Sequence, residues 1–233
     1  MRRGISMAGA VTVAALIASG AAEAKLSTSE AKRVEAAGTV LTEIQAAPDK
    51  GIPGDLWNKA ACVAVVPGLK KGALVIGGEF GKGLLACRRG SAWSAPVFME
   101  LERGSWGLQI GAQSVDLVLL VMNDAVDKLL KDKVTLGADA SAAAGPVGRD
   151  ARAATDAQMK AEILSYSRTQ GLFAGIDVSG GVLRPDKNDN TDLYGAGVTA
   201  REVLLGGTIT PPAETLPFVH SLEHVSAAAK GAR

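Results

Sequence analysis

An α+β fold is predicted by three features of the sequence. Helix-spaced apolar residues behind capping signals stand near both ends of the chain. Between them, short apolar runs are punctuated by Gly, Pro or paired charges. Composition agrees, with 28 glycines and only 4% aromatic residues, a balance suited to tight turns and close backbone approaches.

In chain order, Ser27-Thr28-Ser29-Glu30 has capping-box spacing and opens a helix with Val34, Ala37, Leu41 and Ile44 on one face, ending before Pro48 and Gly51. The period then changes. "ACVAVVPG", "GALVIGGEFG", "GLLACRRG" and "APVFMELERG" read as successive strands joined by tight turns, and "WGLQIGAQ" and "VDLVLLVM" continue the series. The last lacks alternation, which marks a strand buried on both faces. A helix is expected from Asn123, with Asp124 and Asp127 early and Lys128, Lys131 and Lys133 late, complementing the helix dipole. "EILSYSRTQGLFAGIDVSGGVLRPD" reads as two or three strands with a turn at Ser179 to Gly181. Thr199 to Glu202 repeats the capping-box spacing for a short helix stopped by Gly206. A final helix over Pro217–Lys230 carries Phe218, Leu222, Val225 and Ala229 as its stripe.

Residues 1–24, "MRRGISMAGAVTVAALIASGAAEA", have the form of a secretory signal peptide: two arginines, a weakly apolar stretch and the small-x-small site Ala22-Glu23-Ala24. Its Gly, Ala, Ser and Thr content is too weakly hydrophobic for a lasting membrane anchor. Cleavage is expected after Ala24. No cysteine stands there to carry a lipid, so a soluble, periplasmic product is expected. Losing Arg2, Arg3 and Glu23 turns 25 basic and 24 acidic residues into 23 of each. A neutral chain has no bulk field to draw it onto nucleic acid. Charge is nevertheless uneven. Lys59 to Trp106 holds seven basic residues against three acidic, either a solvated face or a local patch.

Motifs for chemistry fail on inspection. His220-Ser221-Leu222-Glu223-His224 has the shape of an inverted zinc-peptidase site. However, no acidic residue follows His224 and the chain has no other histidine, so no metal site is expected. "IGGEFGKGLLA" departs from a P-loop in spacing and lacks the Ser or Thr after Lys82, and its G-x-G-x-x-A has no helix to follow it. It reads as a glycine-rich hairpin turn, with Lys82 projecting from the end of the sheet. No nucleophile motif such as G-x-S-x-G is present. Neither an enzyme nor a cofactor is expected. Cys62 and Cys87 are the only cysteines. On the first and third strands of a meander they stand roughly 9–10 Å apart, beyond the ~7 Å reach of a disulfide. A Cys62–Cys87 bridge therefore requires their strands to be neighbours, or the sheet to close up.

"GADASAAAGPVGRDARAATD", residues 137–156, is either a hinge or a packed segment of small residues. "VTLGADASAAAGPVGRDARAATD", "SYSRTQGLFAG" and "NTDLYG", with "AVVPGLKKGALVIGGEFGKGLLACR" and "WSAPVF" in the front half, resemble the SYLF family of lipid-binding domains, to which yeast actin-patch proteins belong. The resemblance spans Ala36 to Gly206. It implies one continuous domain over 25–233: a mostly antiparallel, curved or barrel-like sheet with N-terminal, central and C-terminal helices. The 137–156 stretch is then no hinge, and packed strand is the preferred reading.

The resemblance also implies a function. Eukaryotic members bind phosphoinositides, helped by an amphipathic basic segment, and some bind actin; this chain is similar to exported bacterial members. Its first helix balances Lys25, Lys32 and Arg33 with Glu30, Glu35 and Glu43, which weakens a membrane-inserting role. The expected function is non-catalytic binding of anionic phospholipid or phosphoinositide-type head groups. Lys70, Lys71, Lys82, Arg88 and Arg89, each beside an expected turn, would meet the phosphates. The alternative is a protein-interaction or structural module of the cell envelope.

Overall fold

The computed structural model describes residues 26–47, 51–73, 76–106, 113–148, 160–169 and 172–231. The expected leader, the interior of the strand expected over 106–113 and the second half of the 137–156 stretch lie outside them.

Helix α1, Thr28–Ala46, begins at the capping box read from the sequence. The Ser27 hydroxyl accepts from Glu30 N–H, and Glu30 reaches back to Ser27 N–H. After α2 (Gly54–Lys59) the chain enters two long strands, β1 (Cys62–Ala73) and β2 (Ile76–Arg89). Then come β3 (Ala92–Trp93), β4 (Val97–Trp106) and β5 (Gln113–Val121). The helix expected at Asn123 is brief: a 3-10 turn, Asn123–Ala125, running into α3 (Val126–Leu129). Four short strands follow: β6 (Val134–Thr135), β7 (Ala142–Ala144), β8 (Ile163–Thr169) and β9 (Leu172–Gly175). β10 (Val182–Pro185), α4 (Lys187–Tyr194), α5 (Ala200–Leu205) and α6 (Leu216–Gly231) complete the chain.

Among the described residues the strands form one sheet in the order β6-β10-β4-β2-β1-β5-β8-β7, with β3 beside β2 and β9 beside β8. Every pairing is antiparallel except β7 with β8. The sheet curls into a half-barrel, and the chain is a single α+β domain.

Both faces of the central strands are buried. Alternate residues of β1, β2 and β5 (Val63, Val65, Leu84, Ala86, Val118, Leu120) pack beneath α1, α2 and α6. Their neighbours (Ala64, Val66, Leu85, Leu117, Leu119, Val121) pack on the other face with Leu129, Val203 and Leu204. The unalternating "VDLVLLVM" follows from this, because a strand covered twice has no polar side to show. The stripe of α6, Phe218, Leu222, Val225 and Ala229, is buried as its spacing predicts. Each of its larger side chains contributes about 1.5–3 kcal/mol through burial.

The strand count between residues 61 and 90 departs from the sequence reading. "ACVAVVPG", "GALVIGGEFG" and "GLLACRRG" are two long strands, not three short ones. Pro67-Gly68 makes no hairpin turn; β1 runs through it as a bulge, with the register to β2 shifting between Val65 and Lys70. Gly68 has φ +62°, and its N–H donates to Asp116 Oδ1 at 2.8 Å. Gly81 and Gly83 stand opposite, inside β2. A Cβ on Gly83 would lie 2.1 Å from the Val65 carbonyl oxygen, so the strand approaches the bulge more closely than any side chain permits. Cys62 and Cys87 thus stand on adjacent strands as direct partners, joined by a disulfide.

The described half of the 137–156 stretch is packed. Gly137 (φ +85°) turns the chain, and Ala142–Ala144 forms the edge strand β7. A Cβ on Gly145 would lie 2.0 Å from Cζ of the buried Tyr166, and one on Gly175 would lie 2.1 Å from the Gly145 carbonyl oxygen. Small residues here admit a tyrosine ring and a second backbone.

Gly83→Ala is expected to destabilise the protein by about 1–3 kcal/mol through overpacking. Gly104→Ala in β4, with open space around its Cα, is the control. Urea unfolding of both variants separates close approach from simple loss of backbone freedom.

Candidate functional site

The five cations read as head-group ligands are spread along β1 and β2 and are not brought together. Because β1 and β2 are antiparallel with Cys62 opposite Cys87, Lys70 and Lys71 lie toward one end of the pair and Arg88 and Arg89 at the other. Strand alternation then sends the two arginines to opposite faces. Arg88 lies over the Trp93 ring at 4.5 Å and donates to the carbonyls of Trp57 (3.1 Å) and Ala60 (3.3 Å). Arg89 donates to the carbonyls of Val203 (3.0 Å) and Leu204 (3.4 Å), the last turn of α5, where a cation complements the dipole. Both arginines hold neighbouring elements in place.

Lys82 is corrected from a hairpin tip to mid-strand, since Gly81 and Gly83 flank it inside β2. Its ammonium meets Asp186 and Asp189, the latter at 3.3 Å, and Glu100 at 3.6 Å. Asp186 caps α4, accepting from Asp189 N–H. Arg33 of α1 donates to Asp189 at 2.5 Å and stands 5.3 Å from the Phe98 ring. Thus α1, α4 and the sheet meet at one charge cluster. Burial works against the Lys82 ammonium, but its hydrogen bond and ion pair with Asp186, together with Asp189, outweigh it and lift its pKa above the ordinary value. Burial also pushes up the carboxyl of Asp186, yet Lys82 and Asp189 N–H bring it below the usual range. Asp189 ends above that range: burial and the neighbouring Asp186 outweigh Arg33.

Lys70 differs. It is exposed, and its cross-strand partner is Phe80, an aromatic left 44% exposed. Directly opposed residues project from the same face, so a cation and an apolar ring share the surface near one end of the sheet. Lys71 follows in β1 opposite Glu79.

A second feature escaped the sequence reading. A cavity of about 380 Å³ opens beside the end of β10, bounded by α4, α5 and the chain after α3, with Lys131, Lys187 and Arg201 on its lining. Its cations come from three separate segments, so no local run announced them. Helix α4 itself was missed because it is polar; the signal was Asp186 after Pro185, with Asp189 three residues on. His220, Glu223 and His224 are exposed on α6.

A curled sheet buried on both faces, with α1, α2 and α6 packed on one of them, describes a single α+β scaffold domain. The match to the family described as "Ysc84: Las17-binding protein actin regulator" covers residues 102–225. The chain is 34% identical over 180 residues to LAS seventeen-binding protein 3 of Saccharomyces cerevisiae, covering 75% of this chain and 39% of that protein. It is 32% identical over 188 residues to human SH3 domain-containing YSC84-like protein 1, covering 78% and 55% respectively. The chain belongs to this family, the Ysc84 or SYLF domain family. It spans about half or less of the length of these curated relatives. No solved structure matches the chain.

Lys82→Met leaves Asp186 and Asp189 facing each other in a buried site. At neutral pH a loss of up to about 3 kcal/mol is expected, the lower side of the range for breaking a buried pair because Lys82 is partly exposed. In the wild type, the depressed Asp186 contributes stability above its unfolded pKa and loses it as pH falls through the folded value. In the variant, protonation of Asp186 instead relieves its repulsion with Asp189, which Arg33 still holds. The stability gap should therefore narrow toward pH 4, as read by thermal melts across pH.

Proposed function

We propose that the chain is an exported, non-catalytic module that binds anionic phospholipid surfaces through the sheet end carrying Lys70 and Lys71. The observation that carries this reading is the exposed Lys70–Phe80 cross-strand pair. An apolar ring can enter the head-group boundary while lysine on its long stem meets phosphate. Phosphoinositide-type head groups are among the anionic lipids it would take. Lys82, Arg88 and Arg89 already have partners inside the protein, so Lys70 remains as the exposed contact, with Lys71 next to it in the strand. Family membership supports a binding role: the relatives' names describe binding and regulation, not catalysis. Leader cleavage after Ala24 and a periplasmic location belong to the same reading.

The test is flotation with vesicles of phosphatidylcholine alone or mixed with phosphatidylglycerol. Each lysine near an anionic surface contributes about 1 kcal/mol, so Lys70→Gln/Lys71→Gln should weaken binding on the order of tenfold or more and flatten its salt dependence. Phe80→Ser should weaken it further. Unchanged flotation removes this surface from the function. Capture of an envelope protein, indifferent to lipid composition, would favour the protein-interaction alternative, which the name "LAS seventeen-binding protein 3" also favours.

A further inference from the structure

We propose that the cavity beside α4 and α5 is a second binding site, specific for a phosphorylated ligand with a small apolar body. Lys131, Lys187 and Arg201 line it against one carboxylate, Asp132. Arg201 donates to Asp127 at 2.9 Å, but Asp127 is 83% exposed. That surface pair is weak, and an anion in the cavity can compete for the guanidinium. Arginine offers two parallel donors to phosphate oxygens, and the lysines add point charges.

Two of the three cations rest on capped helix ends. Lys187 is the first residue of α4, whose cap Asp186 is held by Lys82. Arg201 stands inside the Thr199–Glu202 capping box at the start of α5. Capped helix ends hold these positions before any ligand arrives, which lowers the ordering cost of binding. The volume, about 380 Å³, exceeds what one phosphate fills and falls in the range of small-ligand pockets. Leu130, Pro185 and Val198 on the lining supply an apolar wall for the remainder. Phosphate esters have this chemistry, whether free in solution or displayed as a lipid head group. The site is separate from Lys70 and stands without the membrane reading.

The test uses the full chain and three probes: inorganic phosphate, glycerol 3-phosphate, and phosphatidylcholine vesicles containing phosphatidic acid. Amide shifts at Gly197 and Thr199 report the soluble probes, and flotation reports the vesicles. Each cation removed should weaken binding about tenfold, so Lys131→Gln/Lys187→Gln/Arg201→Gln should abolish it while Lys70→Gln leaves the soluble-probe shifts intact. Shifts with glycerol 3-phosphate, lost in the triple variant, support a free ester. Vesicle binding alone, lost in the triple variant but kept by Lys70→Gln, supports a head group. If no probe binds, or the triple variant binds as the wild type does, the proposal falls. Should the triple variant not fold, as judged by circular dichroism, Arg201→Gln alone decides by the same shifts and the same flotation.

Discussion

The bulge in β1 is the constraint on which the architecture turns. A strand buried on both faces cannot use solvent to satisfy a backbone group that leaves the ladder. At Pro67-Gly68 there is one fewer donor and one displaced N–H. Asp116 of β5 takes that N–H, Arg168 of β8 holds Asp116 at 2.7 Å, and Glu43 of α1 meets Arg168 from outside. A local break in pairing is thereby answered by a chain of charge-assisted contacts crossing three strands to a helix. Bulges bend a strand and increase its twist, and a sheet bent through its central pair can curl. On the other side, Gly81 and Gly83 remove the side chains that would collide with the bend.

This arrangement also explains which parts of the fold were legible in the sequence. Features governed by neighbours along the chain could be read directly: both capping boxes, the stripe of α6 and the two-sided burial of β5. Pro-Gly and Gly-Lys-Gly could not, because each alone has the chemistry of a turn. Only their placement opposite one another makes them halves of one irregularity, and that pairing is non-local. The error propagated to the chemistry. With Lys82 placed on a tip, its charge looked free; inside a strand it faces Asp186, more than a hundred residues away in the chain. The divergence of Arg88 and Arg89, by contrast, was available from the period of a strand alone.

Much of the basic charge in the 59–106 segment thus serves the interior. Arg88 and Arg89 satisfy carbonyls at the ends of α2 and α5, and Lys82 with Arg33 neutralises carboxylates between sheet and helices. Such pairs fix the relative placement of elements more than they add net stability, since desolvation offsets much of their attraction. Among the described residues of that segment, Lys59 and Lys70 are the exposed cations.

The covalent link at the first rung of the β1–β2 ladder gives that pair a direction. Cys62 and Cys87 clasp it where α2 and Arg88 also gather, while at the far end the chain itself joins the strands, passing from Ala73 to Ile76 through two residues. The pair is thereby closed covalently at both ends, by the disulfide at one and by chain continuity at the other, and it cannot fray from either. The exposed cation and ring stand toward the end where the chain passes directly from one strand to the next.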